Sequence, residues 1–426
     1  MISDRLGRTL GSVLGGFVLV LVSISFGRPA QAAKGDEGTY DVTQVGWDLA
    51  EGAIADGDYK GSPLVDPLAE DPWCHNVPSP PPIQTFEYKT VSPPNDAVIH
   101  LKADEYDPVG SGPFPIMVLV HGGGFAKGCR YSMDGVANRF ATSASFSTHF
   151  ISISIDYRQA CDRTDPDVQG SIVKPMCGWP YSRVDPIRQA PGASIFDVED
   201  AVTWVRNLWP TQSGRGNLWN GKIALAGGSG GGNLAYMAAT LSAPGSSSRP
   251  DAVAGWSPFP RFTLMLNNTV WLCDVGQTRT VDDCSIGSTS PSSQGHYEGG
   301  INRYLPCPNI VNHYDSACES LYQVAAPYDV TNIAQLPPPI YVANGGGPTP
   351  GVSPPEISSL QGVIDYKNLL FQFIVQKKVC IVNTTDHGTR LFNDSCNGDP
   401  PGQTVDQSTV LFLAAFVCDA QHLCGG

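Results

Sequence analysis

Apolar and polar residues alternate over Phe86-Glu87-Tyr88 and again around Ala97-Val98-Ile99-His100-Leu101, the period of two that turns one strand face to a core and the other to water. These stretches predict an antiparallel lead-in to a sheet. Residues 115–120, PIMVLV, do not alternate; they form a continuous apolar run suited to a strand buried on both faces. Further short apolar segments at 150–155, 223–226, 251–256, 337–342 and 378–382 predict more strands. Between them the period changes. Val198, Ala201, Val202, Val205 and Leu208 recur at helical spacing and predict a helix over 196–209, with Asp197, Glu199 and Asp200 in its first turn where the helix dipole favours acids. Residues 233–240 have helix-forming composition, 357–375 predict an amphipathic helix, and 409–416 part of a closing one. Apolar strands alternating with helices predict an α/β protein with a mostly parallel central sheet and helices on both faces.

Two stretches interrupt this rhythm. Residues 159–194 form a long polar excursion holding Cys161 and Cys177, and a loop of that length in a compact domain is usually functional or pinned. Residues 257–335 are the least regular part, rich in Pro, Ser, Gly and Asn, with Cys273, Cys284, Cys307 and Cys318; they read as a cysteine-rich cap inserted over the edge of the sheet. At the other end, Arg5 and Arg8 precede the apolar residues 13–26 and the small-x-small site Ala30-Gln31-Ala32, the layout of an export signal. The expected organisation is a signal peptide at 1–32, an N-terminal arm at 33–82, and one α/β domain at 83–426 carrying the cap insertion.

Composition narrows the class. Twelve cysteines without a C-x-x-C pair argue against a zinc ribbon and for up to six disulfides, which fits an exported protein in an oxidising compartment. A net charge of −14 gives no electrostatic footprint for nucleic acid. Beyond the signal no stretch is suited to crossing a membrane, so no span is expected in the mature protein. Asn267, Asn383 and Asn393 open N-x-S/T sequons, which are weak signals as bare tripeptides.

The chemistry centres on residues 222–236, KIALAGGSGGGNLAY. A buried strand, a turn too tight for most side chains and a helix make the layout of a nucleophile elbow, G-x-S-x-G, with Ser229 at its apex. Strand 115–120 delivers His121-Gly122-Gly123-Gly124-Phe125, where glycines after a buried strand leave amides unshielded, as an oxyanion hole requires. His121 itself reads as a brace for that loop. After the last strand come Asp386-His387-Gly388, placing a histidine after the serine in chain order.

Together His121–Phe125, Asp156-Tyr157-Arg158, the run Gly227–Ala235, Ser257-Pro258 and Asp386-His387-Gly388 resemble the hormone-sensitive-lipase-like branch of the α/β-hydrolases. The resemblance implies the α/β-hydrolase fold and cleavage of carboxylic esters, with a small-molecule or lipid ester as substrate and neither cofactor nor metal. It implies Ser229 as nucleophile, His387 as general base, and the amides of Gly123, Gly124 and Gly230 as oxyanion donors. Two departures stand out. The family usually writes G-D-S-A-G at the elbow, where this chain has Gly228 and Gly230 around Ser229. Where relatives place the triad acid, this chain has Gly347, and the next carboxylate is Glu356, which becomes the candidate acid. An exported binding protein on the same fold, with weak or lost turnover, is the alternative these departures permit.

Overall fold

The computed structural model describes residues 81–92, 98–125, 128–159, 193–258, 326–327, 336–345, 376–384, 387–418 and 424. The export signal, nearly all of the arm, the bulk of the 159–194 excursion and of the cap, Glu356 and the 357–375 helix lie outside the described residues.

Eight strands among the described residues form one sheet. In chain order they are β1 (Gln84–Val91), β2 (Ile99–Tyr106), β3 (Phe114–Val120), β4 (Ile151–Ile155), β5 (Trp219–Gly228), β6 (Ala252–Trp256), β7 (Ile340–Gly345) and β8 (Lys377–Val382). Across the sheet the order is β1-β2-β4-β3-β5-β6-β7-β8. β1 with β2 and β2 with β4 are antiparallel, and every later pairing is parallel. This is the topology of the α/β-hydrolase fold.

β3 shows why an unbroken apolar run belongs here. Ile116, Val118 and Val120 pack on one side of the sheet and Met117 and Leu119 on the other, all fully buried. The first side is covered by α2 (Ala193–Asn207) and α3 (Gly230–Leu241), through residues such as Val198, Val202, Val205, Leu234 and Met237. The second is covered by α1 (Asp134–Thr142) and α4 (Val405–Val417), through Ala137, Phe140, Val410 and Leu413. Phe140 anchors an aromatic cluster there, stacked on Trp256 at 5.8 Å and edge-on to Phe392 at 5.7 Å.

Several elements differ from their expected extents. α1 had no counterpart in the pattern: it has only nine residues, with Gly135 in its first turn, so propensity gives it little signal and burial of Ala137, Phe140 and Ala141 holds it. α4 begins at Val405, well before residue 409, because Gln407 Oε1 accepts the Thr404 amide at 3.0 Å as in a capping box. α3 starts directly at Gly230, so glycines that read as a turn form its first helical turn.

Cysteine pairing follows the expectation of disulfides. Among the described residues Cys380 pairs with Cys396 and Cys418 with Cys424, and none is free. The first closes the segment between β8 and the turn that follows it. No helix among the described residues is long and apolar enough to cross a membrane.

Candidate active site

Because β3 to β8 run parallel, the ends of β3, β5, β6 and β8 meet at one edge of the sheet, where sites in such folds form. β3 gives way to His121, β5 to Ser229, β6 to Ser257, and β8 leads to His387.

Ser229 sits alone between β5 and α3 with φ 53° and ψ −127°. L-residues rarely adopt this conformation, which costs about 1–3 kcal/mol and persists only where the surroundings impose it. Here they do. The Ser229 amide donates to Trp256 O at 2.8 Å, and Ser229 O accepts the amides of Gly232 and Asn233 at 3.0 and 3.2 Å. The residue is only 7% exposed, and its Oγ has no hydrogen-bond partner.

The glycines around it divide by geometry. A Cβ on Gly227 would come within 2.5 Å of Gly231 C and O, and one on Gly231 within 2.2 Å of Val120 O. These two allow α3 to start against the ends of β3 and β5. A Cβ on Gly228 would meet nothing nearer than 3.8 Å, so that position has room for a side chain.

The 121–125 loop lies against the elbow. Its turn is built from positive φ at Gly123 (105°), Gly124 (57°) and Phe125 (67°). A Cβ on Gly122 would sit 3.2 Å from Ser229 Cβ, and one on Gly230 3.2 Å from the Phe125 amide nitrogen. Among the described residues, the amides of Gly123, Gly124 and Gly230 donate to no protein group.

His121 is fully buried beneath this loop. Its Nδ1–H donates to Gly122 O at 2.8 Å, its ring stacks on Tyr157 at 4.2 Å, and the Tyr157 hydroxyl donates to His121 O at 3.2 Å. Burial lowers its pKa to about 4, so it is neutral at ordinary pH. That is the bracing role expected of it. The neighbouring Asp156 and Arg158 are structural too. Asp156 accepts from the Arg130 amide and guanidinium at 3.0 and 2.8 Å. Arg158 binds Asp197 at the start of α2 with two parallel bonds of 2.8 Å. Burial opposes the charge on Asp197, but Arg158 and Lys89 outweigh it and its pKa is lowered.

His387 is half-buried and caps the 3₁₀ turn Gly388–Asn393. Its neighbours reach the elbow: a Cβ on Gly228 would lie 3.8 Å from Gly388 Cα and 3.9 Å from Thr389 Cγ2. The Gly388 amide donates to Ser257 Oγ at 2.7 Å. The fold thus gathers the Ser229 elbow, the glycine loop and the segment carrying His387. It does not join Ser229 Oγ to the His387 ring by a hydrogen bond. Glu356, the candidate acid, lies outside the described residues, as does Asp386. The sequence reading passed over Ser257 as a contact; only its Ser-Pro pairing was visible. Among the described residues no cluster of histidine, cysteine and acidic side chains is arranged to hold a metal.

No protein-family model and no curated protein matches the chain. Solved structures similar to it include an esterase from the Planctomycetes species Thermogutta terrifontis in native form, at 17% identity and TM-score 0.45, covering 82% of this chain and 95% of that one. The apo form of Thermogutta terrifontis esterase 2 matches at 16% identity and TM-score 0.45, covering 82% of this chain and all of that one. The same esterase phosphonylated by sarin matches at 16% identity and TM-score 0.46, again over 82% of this chain and 100% of that one. Likeness at this level says nothing of activity, and the fold rests on the strand order above.

Proposed function

We propose that this protein is an exported serine esterase of the hormone-sensitive-lipase-like branch, cleaving carboxylic esters of small molecules or lipids through an acyl-enzyme. One observation carries the reading: a serine held in a strained, buried turn with an unpartnered Oγ, in contact with a glycine loop whose amides donate to no protein group. Hydroxyl and donors are unspent at the place where an ester carbonyl would need both.

In this reading His387 takes the Ser229 proton as Oγ attacks the carbonyl carbon. The amides of Gly123, Gly124 and Gly230 bind the developing oxyanion. The tetrahedral species collapses as His387 returns the proton to the departing alkoxide, and water, deprotonated by His387, then releases the acid and restores the serine. Removing one oxyanion donor typically costs about 3–4 kcal/mol of transition-state stabilisation. Glu356 is assigned as the group that orients His387. No cofactor takes part. Residues 1–32 are read as the signal that directs export and 257–335 as the cap over the substrate.

The test is labelling of the purified protein with a serine-reactive fluorophosphonate, beside turnover of p-nitrophenyl esters of varied chain length. Labelling and turnover are expected in wild type and absent in Ser229→Ala. A wild-type protein that neither labels nor turns over any ester refutes the proposal. Glu356→Gln is expected to slow turnover and leave substrate binding intact; unchanged kcat removes Glu356 from the mechanism.

A further inference from the structure

Ser257 follows β6 immediately and is fully buried, yet it is one of three non-glycine residues with positive φ among the described residues, at 52°. The other two, Ser229 and Phe125, belong to the elbow and to the glycine loop. A glycine would meet this backbone demand without strain. A serine there needs a use for its hydroxyl.

That use is visible. Among the described residues the one group bound by Ser257 Oγ is the amide of Gly388, at 2.7 Å, the residue directly after His387. The Ser257 amide in turn donates to Ala343 O at 2.8 Å, near the end of β7. Ser257 therefore links the ends of β6 and β7 to the segment carrying His387. The segment is also held by the Cys380–Cys396 disulfide, the Val382–Cys396 bridge, the Asn397 amide on Ile381 O at 2.9 Å and the packing of Phe392 on Trp256 at 4.8 Å. Beside the elbow, directly after His387, the backbone is tied to Ser257 through the Gly388 amide.

We propose that Ser257 is a positioning residue, which sets His387 against Ser229 by holding the Gly388 amide. This rests on the reading of His387 as general base. Ser257→Gly is the informative change: it removes the acceptor, and relief of the positive φ offsets part of the cost of the lost bond and of glycine's greater freedom in the unfolded chain.

Three results are expected from that variant. Its Tm falls by no more than a few degrees while hydrogen exchange at the Gly388 amide speeds up. Its kcat for p-nitrophenyl esters falls about tenfold or more with KM nearly unchanged, as misplacement of a catalytic group does. In a His387→Ala background the same change costs almost nothing further, because both act through one group. A Ser257→Gly variant with wild-type kcat overturns the inference and leaves the esterase reading standing. So does a loss that adds in full to that of His387→Ala. A wild-type protein without labelling or turnover overturns both, and unaltered Gly388 exchange in Ser257→Gly overturns the tether itself.

Discussion

Replacing Gly231 by alanine sets two effects of known sign against each other. Gly231 lies in the first turn of α3, where alanine gains about 1 kcal/mol of helix propensity over glycine. Its φ is not positive, so the backbone itself does not object. Space does. The new methyl would lie 2.2 Å from Val120 O and 2.4 Å from His121 O, whereas real contacts of this kind essentially never fall under 3.0 Å. α3 and the end of β3 would have to part by about 0.8 Å. The carbonyls cannot give way easily, because β3 is paired on both sides, to β4 and β5. Overpacking of this sort costs about 1–3 kcal/mol. Set against the propensity gain, the upper end leaves about 2 kcal/mol of net destabilisation, which for a chain of this size lowers Tm by about 2 °C. Activity is expected to fall much further. The same displacement separates Ser229 from the glycine loop, and a misplacement of about 1 Å costs on the order of a hundredfold in rate. Differential scanning calorimetry and p-nitrophenyl ester hydrolysis, measured on the same preparation, read the two quantities. Gly228→Ala is the control, with nothing within 3.8 Å of its methyl. A Gly231→Ala protein with wild-type Tm and kcat/KM refutes the steric reasoning, as does equal damage from Gly228→Ala.

Other outcomes follow from the same geometry. The Cys380–Cys396 bridge spans a sequence separation of 16, for which loop-closure entropy gives about 3 kcal/mol; Cys380→Ser/Cys396→Ser is expected to lose about that much in urea unfolding, and an unchanged midpoint refutes it. The buried His121 keeps a pKa of about 4 against 6.5 for the free group, so the unfolded chain takes up the proton first, and a contribution of about 3 kcal/mol present above pH 6.5 is lost as pH falls to 4. Glu105, raised by burial and then by its hydrogen bond with Asp107 to about 7 from 4.5, has the opposite sign: its contribution is full below pH 4.5 and is lost as pH rises through 7. Urea midpoints at pH 4.5 and 7 should therefore be nearly flat between these two groups in wild type. They should rise toward acid in His121→Asn and fall toward acid in Glu105→Gln; parallel profiles in all three proteins refute the assignment.

Most of the sheet could be read from the chain, and the reason is burial. In a parallel sheet covered on both faces strands read as near-continuous apolar runs, so PIMVLV at 115–120 announces β3 with no help from its neighbours. The elements that escaped are those whose stability is not local. α1 is short and glycine-containing and exists because Phe140 meets Trp256 and Phe392 across the core. β5 was legible only as residues 223–226, yet it extends back to Trp219, whose indole donates to Lys222 O at 2.9 Å. Pairing of Phe114 with Trp219 across the sheet sets that boundary, and no window of sequence contains both.

The site was legible to the level of motif and stopped short of roles within the motif. Five glycines flank Ser229 between Gly227 and Gly232 and look alike in the sequence. In the fold they are not alike. Gly227 and Gly231 are compelled by carbonyl and backbone atoms within 2.5 Å of any Cβ, whereas Gly228 is free to carry a side chain. The departure from G-D-S-A-G at Gly228 therefore has no steric cause, and rigidity at the apex comes from elsewhere: the Trp256 carbonyl that holds the Ser229 amide and the helix amides that hold Ser229 O. The same reasoning separates the two serines after β5 and β6. Both are buried at φ near 50°, so strain alone does not tell a nucleophile from a support. The hydroxyls differ: that of Ser257 is engaged by Gly388, whereas that of Ser229 has no partner and is open to the proton transfer proposed for His387.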